Sequence, residues 1–241
     1  MTNTPLLEVC VADAESLAAA IAGGADRIEL CSALELGGLT PAPGFMRLAA
    51  KAPIPIYAMV RPRSGDFVFS PDELDIMLAD IDAIRATGLA GVVIGASRSD
   101  GALDADLLRR LCARAKGLVI TLHRAFDLVP DFAAAVETAV DLGIERILTS
   151  GGAATALAGL ARLRSLHEMA RGRISIMPGS GLTPHNVGEL LEAVPVTEVH
   201  SSCSVSRATA SERAVALYLA QNSHGRTDKE TVAAFKRSLK R

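Results

Sequence analysis

Eight short runs of mostly apolar and β-branched residues recur along this chain, separated by longer segments of helical periodicity. Such runs, bounded by Gly, Pro or polar residues, predict β-strands, and apolar residues three and four positions apart predict amphipathic helices. Strict alternation of the two requires parallel strands joined by crossover helices. The predicted strands cover 6–11, 27–32, 56–62, 91–96, 118–124, 146–150, 174–180 and 197–202, and the main helices cover 14–23, 71–87, 104–116, 130–143, 153–171 and 184–193.

Several predicted helices carry residues that start or stop a helix. Asp13 is placed to cap the first of them, and Ser70-Pro71 opens another with Pro at its first position. Glycines at 23, 88 and 143 stand where helices should end. These boundaries strengthen the assignment of strand–helix units.

Eight such units in 241 residues match the size of a (β/α)8 barrel, about 250 residues. The competing architecture is an open doubly wound sheet, which usually carries a glycine-rich phosphate loop after its first strand. Here the segment 11–16 contains no glycine. We therefore predict an α/β fold, a (β/α)8 TIM barrel forming a single domain over residues 1–241. A polar, irregular stretch at about 203–226 precedes a last helix, about 228–240, that closes the barrel.

Composition excludes several function classes. The formal net charge is −2 and aromatic residues make up 3%, so neither a basic surface nor stacking platforms predict nucleic-acid binding. No apolar run approaches the roughly 18 residues that span a membrane. The first residues lack the basic segment of a signal peptide, and four cysteines (10, 31, 112 and 203) form no CxxC pair. We expect a cytoplasmic protein with free thiols and neither membrane nor nucleic-acid partners.

Polar side chains collect on the predicted strands. Side chains alternate along a strand, so Glu8 shares a face with Cys10, and Glu29 shares one with Cys31. The barrel interior is the cheaper location for the carboxylates, since an apolar helical shell would leave them unpaired. Carboxyl, guanidinium and imidazole groups at one barrel mouth support proton transfer, although an ion network of Glu8 and Glu29 with Arg61 that merely fills the barrel is an alternative. The further members of this set are Arg61, His123, Arg124 and His200.

The loops after the seventh and eighth strands predict an anion site. Barrels often hold phosphate there with backbone N–H groups. Ser150, in a Thr-Ser-Gly-Gly turn after strand six, extends this pattern, while the alternative is that the glycines only permit tight turns. The candidate donors are Gly179, Ser180, Gly181, Ser201 and Ser202.

A metal site is a further hypothesis. Cys10 and Cys31 lie in consecutive strands, and thiolates suit Cu(I) or Zn²⁺, with His123, His200 and Cys203 as further candidates. Local ligand spacing is absent, so the fold would have to assemble the site. We interpret Cys112 as a small apolar residue within its predicted helix. A Ser150–His123–Asp127 arrangement is also conceivable, but the chain has no GxSxG elbow.

Motifs in register along the chain are similar to those of a known family. They are Glu-Leu-Cys-Ser at 29–32, Gly-Gly-Leu-Thr-Pro at 37–41, Arg-Pro-Arg-Ser-Gly-Asp-Phe at 61–67, His-Arg-Ala-Phe-Asp at 123–127, Leu-Thr-Ser-Gly-Gly at 148–152 and Glu-Val-His-Ser-Ser at 198–202. From Leu6 to about Val232 the chain resembles the copper homeostasis protein CutC family. The resemblance implies a TIM barrel, a cytoplasmic location, self-association as a homo-oligomer and Cu(I) binding.

The family's pattern also selects residues. This chain departs from the pattern at Val11, where many relatives carry a second cysteine, and at Cys203, where small residues are common. The Cys203 thiol would offer a replacement ligand. The positions that match the pattern are Glu8, Cys10, Glu29, Cys31, Arg61, Arg63, Asp66, His123, Arg124, Asp127, Ser150 and His200.

Two functions follow as hypotheses. In the first, Cys10, Cys31 and nearby histidines bind copper, as Cu(I), for buffering or delivery. In the second, the chain is an enzyme acting on a small anionic or hydroxylated, for example phosphorylated, substrate. Glu8 or Glu29 would then be acid or base, His123 or His200 would relay protons and Arg61 would clamp the anion. The charged groups favour the second hypothesis because Cu(I) prefers softer ligands.

Overall fold

The computed structural model describes residues 4–240; residues 1–3 and 241, the ends of the predicted domain, lie outside this range. Eight strands form the central sheet, each within one of the predicted runs. Their bounds are β1 Leu6–Val11, β2 Arg27–Leu30, β3 Ile56–Met59, β4 Gly91–Ile94, β5 Val119–Leu122, β6 Arg146–Thr149, β7 Ser175–Pro178 and β8 Glu198–Ser201.

The sheet is parallel and nearly closed into a barrel, which confirms the predicted TIM-barrel fold. Hydrogen-bonded neighbours run in the order β7-β6-β5-β4-β3-β2-β1-β8. Within the described residues, only the seam between β7 and β8 lacks a ladder. Because the strands are parallel, their carboxyl ends all open at one mouth.

Nine α-helices complete the described part of the chain. Two 3-10 turns, Leu34–Leu36 and Arg124–Leu128, follow β2 and β5 at the mouth. No helix within residues 4–240 is long and apolar enough to cross a membrane. The helices are α1 Ala14–Gly23, α2 Pro43–Ala49, α3 Pro71–Ala86, α4 Ala105–Arg114, α5 Phe132–Asp141, α6 Leu160–Ala170, α7 Val187–Ala193, α8 Glu212–Ala216 and α9 Lys229–Ser238.

Predicted helix starts are confirmed at two caps. The Asp13 carboxylate accepts from the Ser16 N–H at the start of α1. Ser70 and Glu73 form a reciprocal capping box at α3, with Pro71 in its first turn. Each cap satisfies backbone N–H groups that have no partner inside the helix.

Two segments differ from the sequence prediction. The helix predicted from residue 153 begins only at Leu160, because 153–159 form turns packed against the strand β6 loop. The stretch predicted as irregular contains an antiparallel hairpin, β9 Ser204–Ala208 and β10 Ser223–Thr227, with α8 at its tip. Every residue of β9 is exposed, so no alternation of apolar residues announces this strand.

The hairpin is inserted between β8 and α9, and α9 takes the eighth helix position. This last helix packs against α1 and α7. Val232 and Phe235 of α9 are fully buried in the main core. The core lies between sheet and helices, where β1 contributes Leu7, Val9 and Val11.

A layer of charged side chains fills the floor of the barrel. Arg27 on β2 donates to Glu8 on β1 at 2.5 Å and to Glu198 on β8 at 2.6 Å. Arg146 on β6 donates to Glu198 at 3.2 Å, and the Tyr57 ring on β3 lies about 5 Å from both guanidinium groups. These charges are nearly inaccessible to solvent, so removing one member leaves another buried and unpaired.

Because α9 completes the helical shell, we expect Phe235→Ala to destabilise the whole barrel. A fully buried Phe leaves a cavity that costs about 3–5 kcal/mol in the free energy of unfolding. Ile76→Ala, at an apolar side chain on α3 that is 51% exposed, is the control and should change it by no more than about 0.5 kcal/mol. Denaturant unfolding measures both. Equal, small effects would mean that α9 is not part of the cooperative domain.

Candidate metal and ligand site at the barrel mouth

Three buried side chains converge above the charged floor. The register of the sheet pairs Cys10 with Glu29 across β1 and β2, and Glu8 with His200 across β1 and β8. As a result, ligand atoms of Cys10, Glu29 and His200 all lie within 4.8 Å of one another. These three residues, called here the Cys-Glu-His group, bring thiol, carboxyl and imidazole to one point.

The His200 ring is held by Glu8. Its Nδ1 lies 2.8 Å from Oε1 of Glu8, while its Nε2 faces Glu29 at 3.8 Å. Burial opposes ionisation of Glu8, yet Arg27 and His200 lower the pKa of its carboxyl to about 2. Burial also disfavours the imidazolium of His200, but Glu29 and Cys10 raise the pKa of His200 well above its ordinary value. Glu8 is therefore a carboxylate that fixes which His200 nitrogen faces the group.

Glu29 and Cys31 have the opposite tendency, toward neutral forms. Burial, reinforced by Glu8 against the effect of His200, raises the pKa of Glu29. Burial and the adjacent Glu29 raise the pKa of the Cys31 thiol well above its ordinary value. The Cys31 thiol donates to Oε2 of Glu29 at 3.6 Å and packs with Tyr57 and Met59, outside the Cys-Glu-His group.

His123 faces the same interior from β5 as a neutral imidazole. Its Nδ1 accepts from the Ala125 N–H at 3.1 Å, which leaves the proton on Nε2. Burial, with repulsion from Arg61, lowers the pKa of His123 to about 3. The ring fits only because residue 95 is glycine: a Cβ there would lie 2.3 Å from the imidazole. Nε2 is buried without a hydrogen-bond partner among residues 4–240.

Arg61 is a buried cation that has no carboxylate partner among residues 4–240. Its Nη atoms donate to the carbonyls of Leu36, Gly38 and Gly65, at 2.8–3.1 Å. No ion pair of Arg61 occurs in the described part of the chain, and Nε has no partner there. Phe67 lies beneath the guanidinium at 4.9 Å and beside the His123 ring at 4.8 Å. The alternative raised by the sequence, an ion network of Glu8 and Glu29 with Arg61, does not form among the described residues, where Glu8 pairs with Arg27.

Two adjoining cavities open on these side chains. The inner cavity, of about 170 Å³, is lined by Glu29, Arg61, His123 and Phe67 with the apolar Leu34, Met59 and Leu148. The outer cleft, of about 810 Å³, extends from Cys10 and His200 to the loops after β7 and β8 and to α9. Cys10, His200, Arg124 and Leu148 line both. Cys203, predicted as an additional ligand, lines the outer cleft but is not in the Cys-Glu-His group.

Asp127 holds the loops after β5 and β6 together through hydrogen bonds. Its carboxylate accepts from the Thr149 hydroxyl, from the N–H groups of Ser150 and Gly152, and from Arg124 at 2.7 Å. Arg124 also donates to the Ser150 hydroxyl, which in turn donates to a backbone carbonyl. This network ties the loop after β5 to the loop after β6, and only its Arg124 lines the cavities.

The predicted anion loops border the outer cleft. The Ser180 hydroxyl donates to the Ala154 carbonyl and the Ser201 hydroxyl donates to the Leu182 carbonyl, so both donors are already engaged. Gly179 lets the chain pass close to His200, since a Cβ there would lie 3.2 Å from the His200 Cβ. The remaining predicted donors of these loops, Gly181 and Ser202, line the cleft.

Arg63 and Asp66 lie elsewhere. They pair with each other at 3.0 Å on the exposed loop after β3, and Arg63 also pairs with Glu73. Neither is among the described lining residues of the two cavities.

Sequence reasoning missed the residues that support the site. Arg27 and Glu198 were not singled out, although each lies two residues before a predicted site residue on the same strand face (Glu29 and His200). Phe67 is the last residue of the motif at 61–67, so the sequence could also have indicated it as a site residue. Arg146, on a separate strand, carries no local sequence signal.

The fold and the mouth define a class: (β/α)8 barrel proteins with their polar site at the carboxyl ends of the strands. A CutC family model matches residues 5–205, so the chain belongs to the CutC family. A relative named family protein CutC, from Sinorhizobium medicae, is 56% identical and covers 98% of this chain and 97% of its own. Another, from Caulobacter vibrioides, is 60% identical over 82% of this chain and 80% of its own.

Solved structures agree. The copper homeostasis protein CutC of Streptococcus agalactiae superposes with a TM-score of 0.79 at 30% identity, covering 82% of this chain and 98% of that chain. The thiamine phosphate pyrophosphorylase of Pyrococcus furiosus gives a TM-score of 0.61 at 14% identity, covering 99% and 96%, and shows the fold alone.

The buried neutral His123 predicts a pH dependence of stability. The unfolded chain takes up a proton near the ordinary imidazole pKa of 6.5, whereas native His123 stays neutral down to about pH 3. The free energy of unfolding therefore falls as pH drops through this window. In His123→Asn the amide oxygen can accept the Ala125 N–H. Between pH 6.5 and 3 we expect the free energy of unfolding of this variant to fall by about 4 kcal/mol less than that of the wild type.

Urea unfolding at several pH values measures this difference. His224→Asn is the control because this histidine is exposed, and its profile should follow wild type. Parallel profiles for all three proteins would show that His123 titrates normally.

Proposed function

We propose that this protein binds copper as Cu(I) at the Cys-Glu-His group and serves copper homeostasis. The observation that carries the proposal is the convergence of Cys10, Glu29 and His200 within 4.8 Å at the base of an open cleft. The copper homeostasis protein CutC of Streptococcus agalactiae, similar over most of this chain, supports it by its name.

The donor set fits a soft metal in part. Thiolate sulfur and imidazole nitrogen both suit Cu(I), while the Glu29 carboxylate is a harder ligand. The thioether of Met59, another soft donor type, lines the adjoining cavity. Sulfur, nitrogen and oxygen together also match Zn²⁺, so copper and zinc are the two metals to compare.

The contact between Glu8 and His200 supports a metal site independently. Histidines that bind metals usually donate their other ring N–H to a carboxylate, which orients the ring and makes it more basic. Glu8 occupies that position relative to His200 Nδ1, leaving Nε2 toward Cys10 and Glu29. Metal binding there would displace protons, so the affinity should increase with pH.

We further propose that the protein is cytoplasmic and self-associates. All four cysteines are free, as is usual in a reducing cytoplasm. Self-association is supported by the hairpin tip, where Leu217, Tyr218 and Leu219 are exposed together.

A second candidate is an enzyme that acts on a small anion. The observation favouring it is that Glu29 Oε1, Arg61 Nε and His123 Nε2 are all buried without hydrogen-bond partners among residues 4–240, and all three residues line the inner cavity. A neutral imidazole and a carboxyl group with a raised pKa that line one cavity are groups that acid–base catalysis uses.

If the Cys-Glu-His group binds Cu(I), Cys10→Ser should weaken binding by at least about tenfold, since it removes the one thiolate of the group. Cys31→Ser should bind nearly as wild type because its thiol lies outside the group. Competition with a chromophoric Cu(I) chelator under anaerobic conditions measures each affinity, and a parallel Zn²⁺ titration compares the metals.

Cys112→Ser is the matched control for this series, since Cys112 is a half-buried thiol on α4. Unchanged affinity and stoichiometry in Cys10→Ser would refute copper binding at this group. A loss confined to Cys31→Ser would instead place the site at the Cys31 thiol, just after the carboxyl end of β2.

Glu8→Gln should lower metal affinity by about 10–100-fold because it weakens the orientation of His200. It also removes a partner of buried Arg27, so the variant will be less stable. Glu198→Gln separates the two effects: it removes the other partner of Arg27 without touching His200. We expect comparable losses in melting temperature but a loss of affinity only in Glu8→Gln. Equal affinities would contradict the role of Glu8.

A further inference from the structure

We propose that the inner cavity binds a small 2-hydroxycarboxylate, with its carboxylate on Arg61 and His123 and its hydroxyl on Glu29. This inference deepens the second candidate function, on which it rests, by naming the class of molecule that the cavity would accept. It does not require a bound metal.

The size of the cavity limits the ligand. Its volume of about 170 Å³ is close to the roughly 150 Å³ of an engineered protein cavity that holds benzene. A molecule of about six to eight non-hydrogen atoms therefore fits. Leu34, Met59, Phe67 and Leu148 form apolar walls, so the polar groups of the ligand must meet the few polar atoms present.

The positive charge of Arg61, together with the neutral donor His123, selects an anion. Arg61 is 4% exposed, and in the described chain it has carbonyl partners but no carboxylate. A buried cation of this kind is stabilised by a counter-charge. The unpartnered N–H groups of Arg61 and His123 lie on side chains that both contact Phe67 and both line the inner cavity. Two donors beside a positive charge match a carboxylate.

Glu29 supplies the complementary group. Its Oε2 accepts from the Cys31 thiol, whereas Oε1 has no partner among the described residues. A hydroxyl both donates and accepts, so it pairs with this carboxyl group whether or not the group is protonated. In a molecule small enough for this cavity, a hydroxyl close to the carboxylate is therefore the substituent that matches the unpartnered atoms.

Two other occupants are less compatible with these atoms. Inorganic phosphate offers more acceptor oxygens than the two unpartnered donors satisfy, and it would bring a second negative charge toward Glu29. Water alone would satisfy the donors but would leave the charge of Arg61 uncompensated. Both are outcomes that the following experiment distinguishes.

The test titrates lactate and glycerate into the metal-free wild-type protein by calorimetry. Propane-1,2-diol, which lacks the carboxylate, and inorganic phosphate serve as comparison ligands. We expect at least one hydroxy acid to bind with a dissociation constant at or below about 1 mM, and the comparison ligands to bind at least about tenfold more weakly. Tighter binding of phosphate, or no binding of either acid, would overturn the proposal.

Arg61→Gln should weaken hydroxy-acid binding by about tenfold or more, since it removes a charged, buried donor. Arg85→Gln is the matched control: its guanidinium also donates to backbone carbonyls, of Arg114 and Lys116, but on the exposed surface. Unchanged binding in folded Arg61→Gln would exclude the assigned carboxylate position.

A measurement on the wild type covers the case in which Arg61→Gln fails to fold. In protein labelled with ¹⁵N-histidine, the Nε2–H resonance of His123 should shift on addition of the hydroxy acid, because the donor gains a partner. Binding without any shift of this resonance would place the ligand elsewhere. Because the samples are metal-free, the absence of hydroxy-acid binding would not contradict the copper proposal. The absence of copper binding would likewise not contradict this inference.

Discussion

The ion pair between Arg27 and Glu8 is the contact on which the rest of the mouth depends. Arg27 reaches from β2 to carboxylates on β1 and β8, so one guanidinium joins three adjacent strands inside the barrel. Buried charges are costly unless they are paired, and here each carboxylate on the floor has a cationic neighbour. By keeping Glu8 ionised, this pair also determines the orientation of His200, one layer nearer the mouth.

Two functional regions follow from that arrangement, and they share Glu29. On one side the Cys-Glu-His group presents mixed soft and hard ligands beneath the outer cleft. On the other side Arg61 and His123 leave donors unpartnered around a small cavity. Buried polar atoms without partners are costly in folded proteins, which is why they are informative about a ligand. The metal proposal depends on Cys10 and His200, whereas the hydroxy-acid proposal depends on Arg61 and His123, so the two can fail separately.

The sequence predicted the barrel because each of its eight strands is short, apolar and followed by a helical segment. It also predicted the residue pairs on β1 and β2, since alternation fixes which side chains share a face. It did not predict the β9–β10 hairpin, whose strands are polar and exposed, or the late start of α6, where turns replace the first part of the apparent helical pattern. A periodic pattern of apolar residues predicts an element only where one face of that element is buried, and these segments have no regular buried face.

What the sequence by itself determined is therefore the number and order of the barrel strands, the family, and the reactive residues that those strands carry, such as Glu8, Cys10 and Glu29. Only the tertiary structure decided how those side chains are paired. Glu8 is matched with Arg27 and His200, Asp127 is engaged in bracing loops, and Arg61 is left without a carboxylate in the described chain. The physical reason is that these contacts form across the barrel between distant strands, where register and closure set the distances, and no local spacing encodes them.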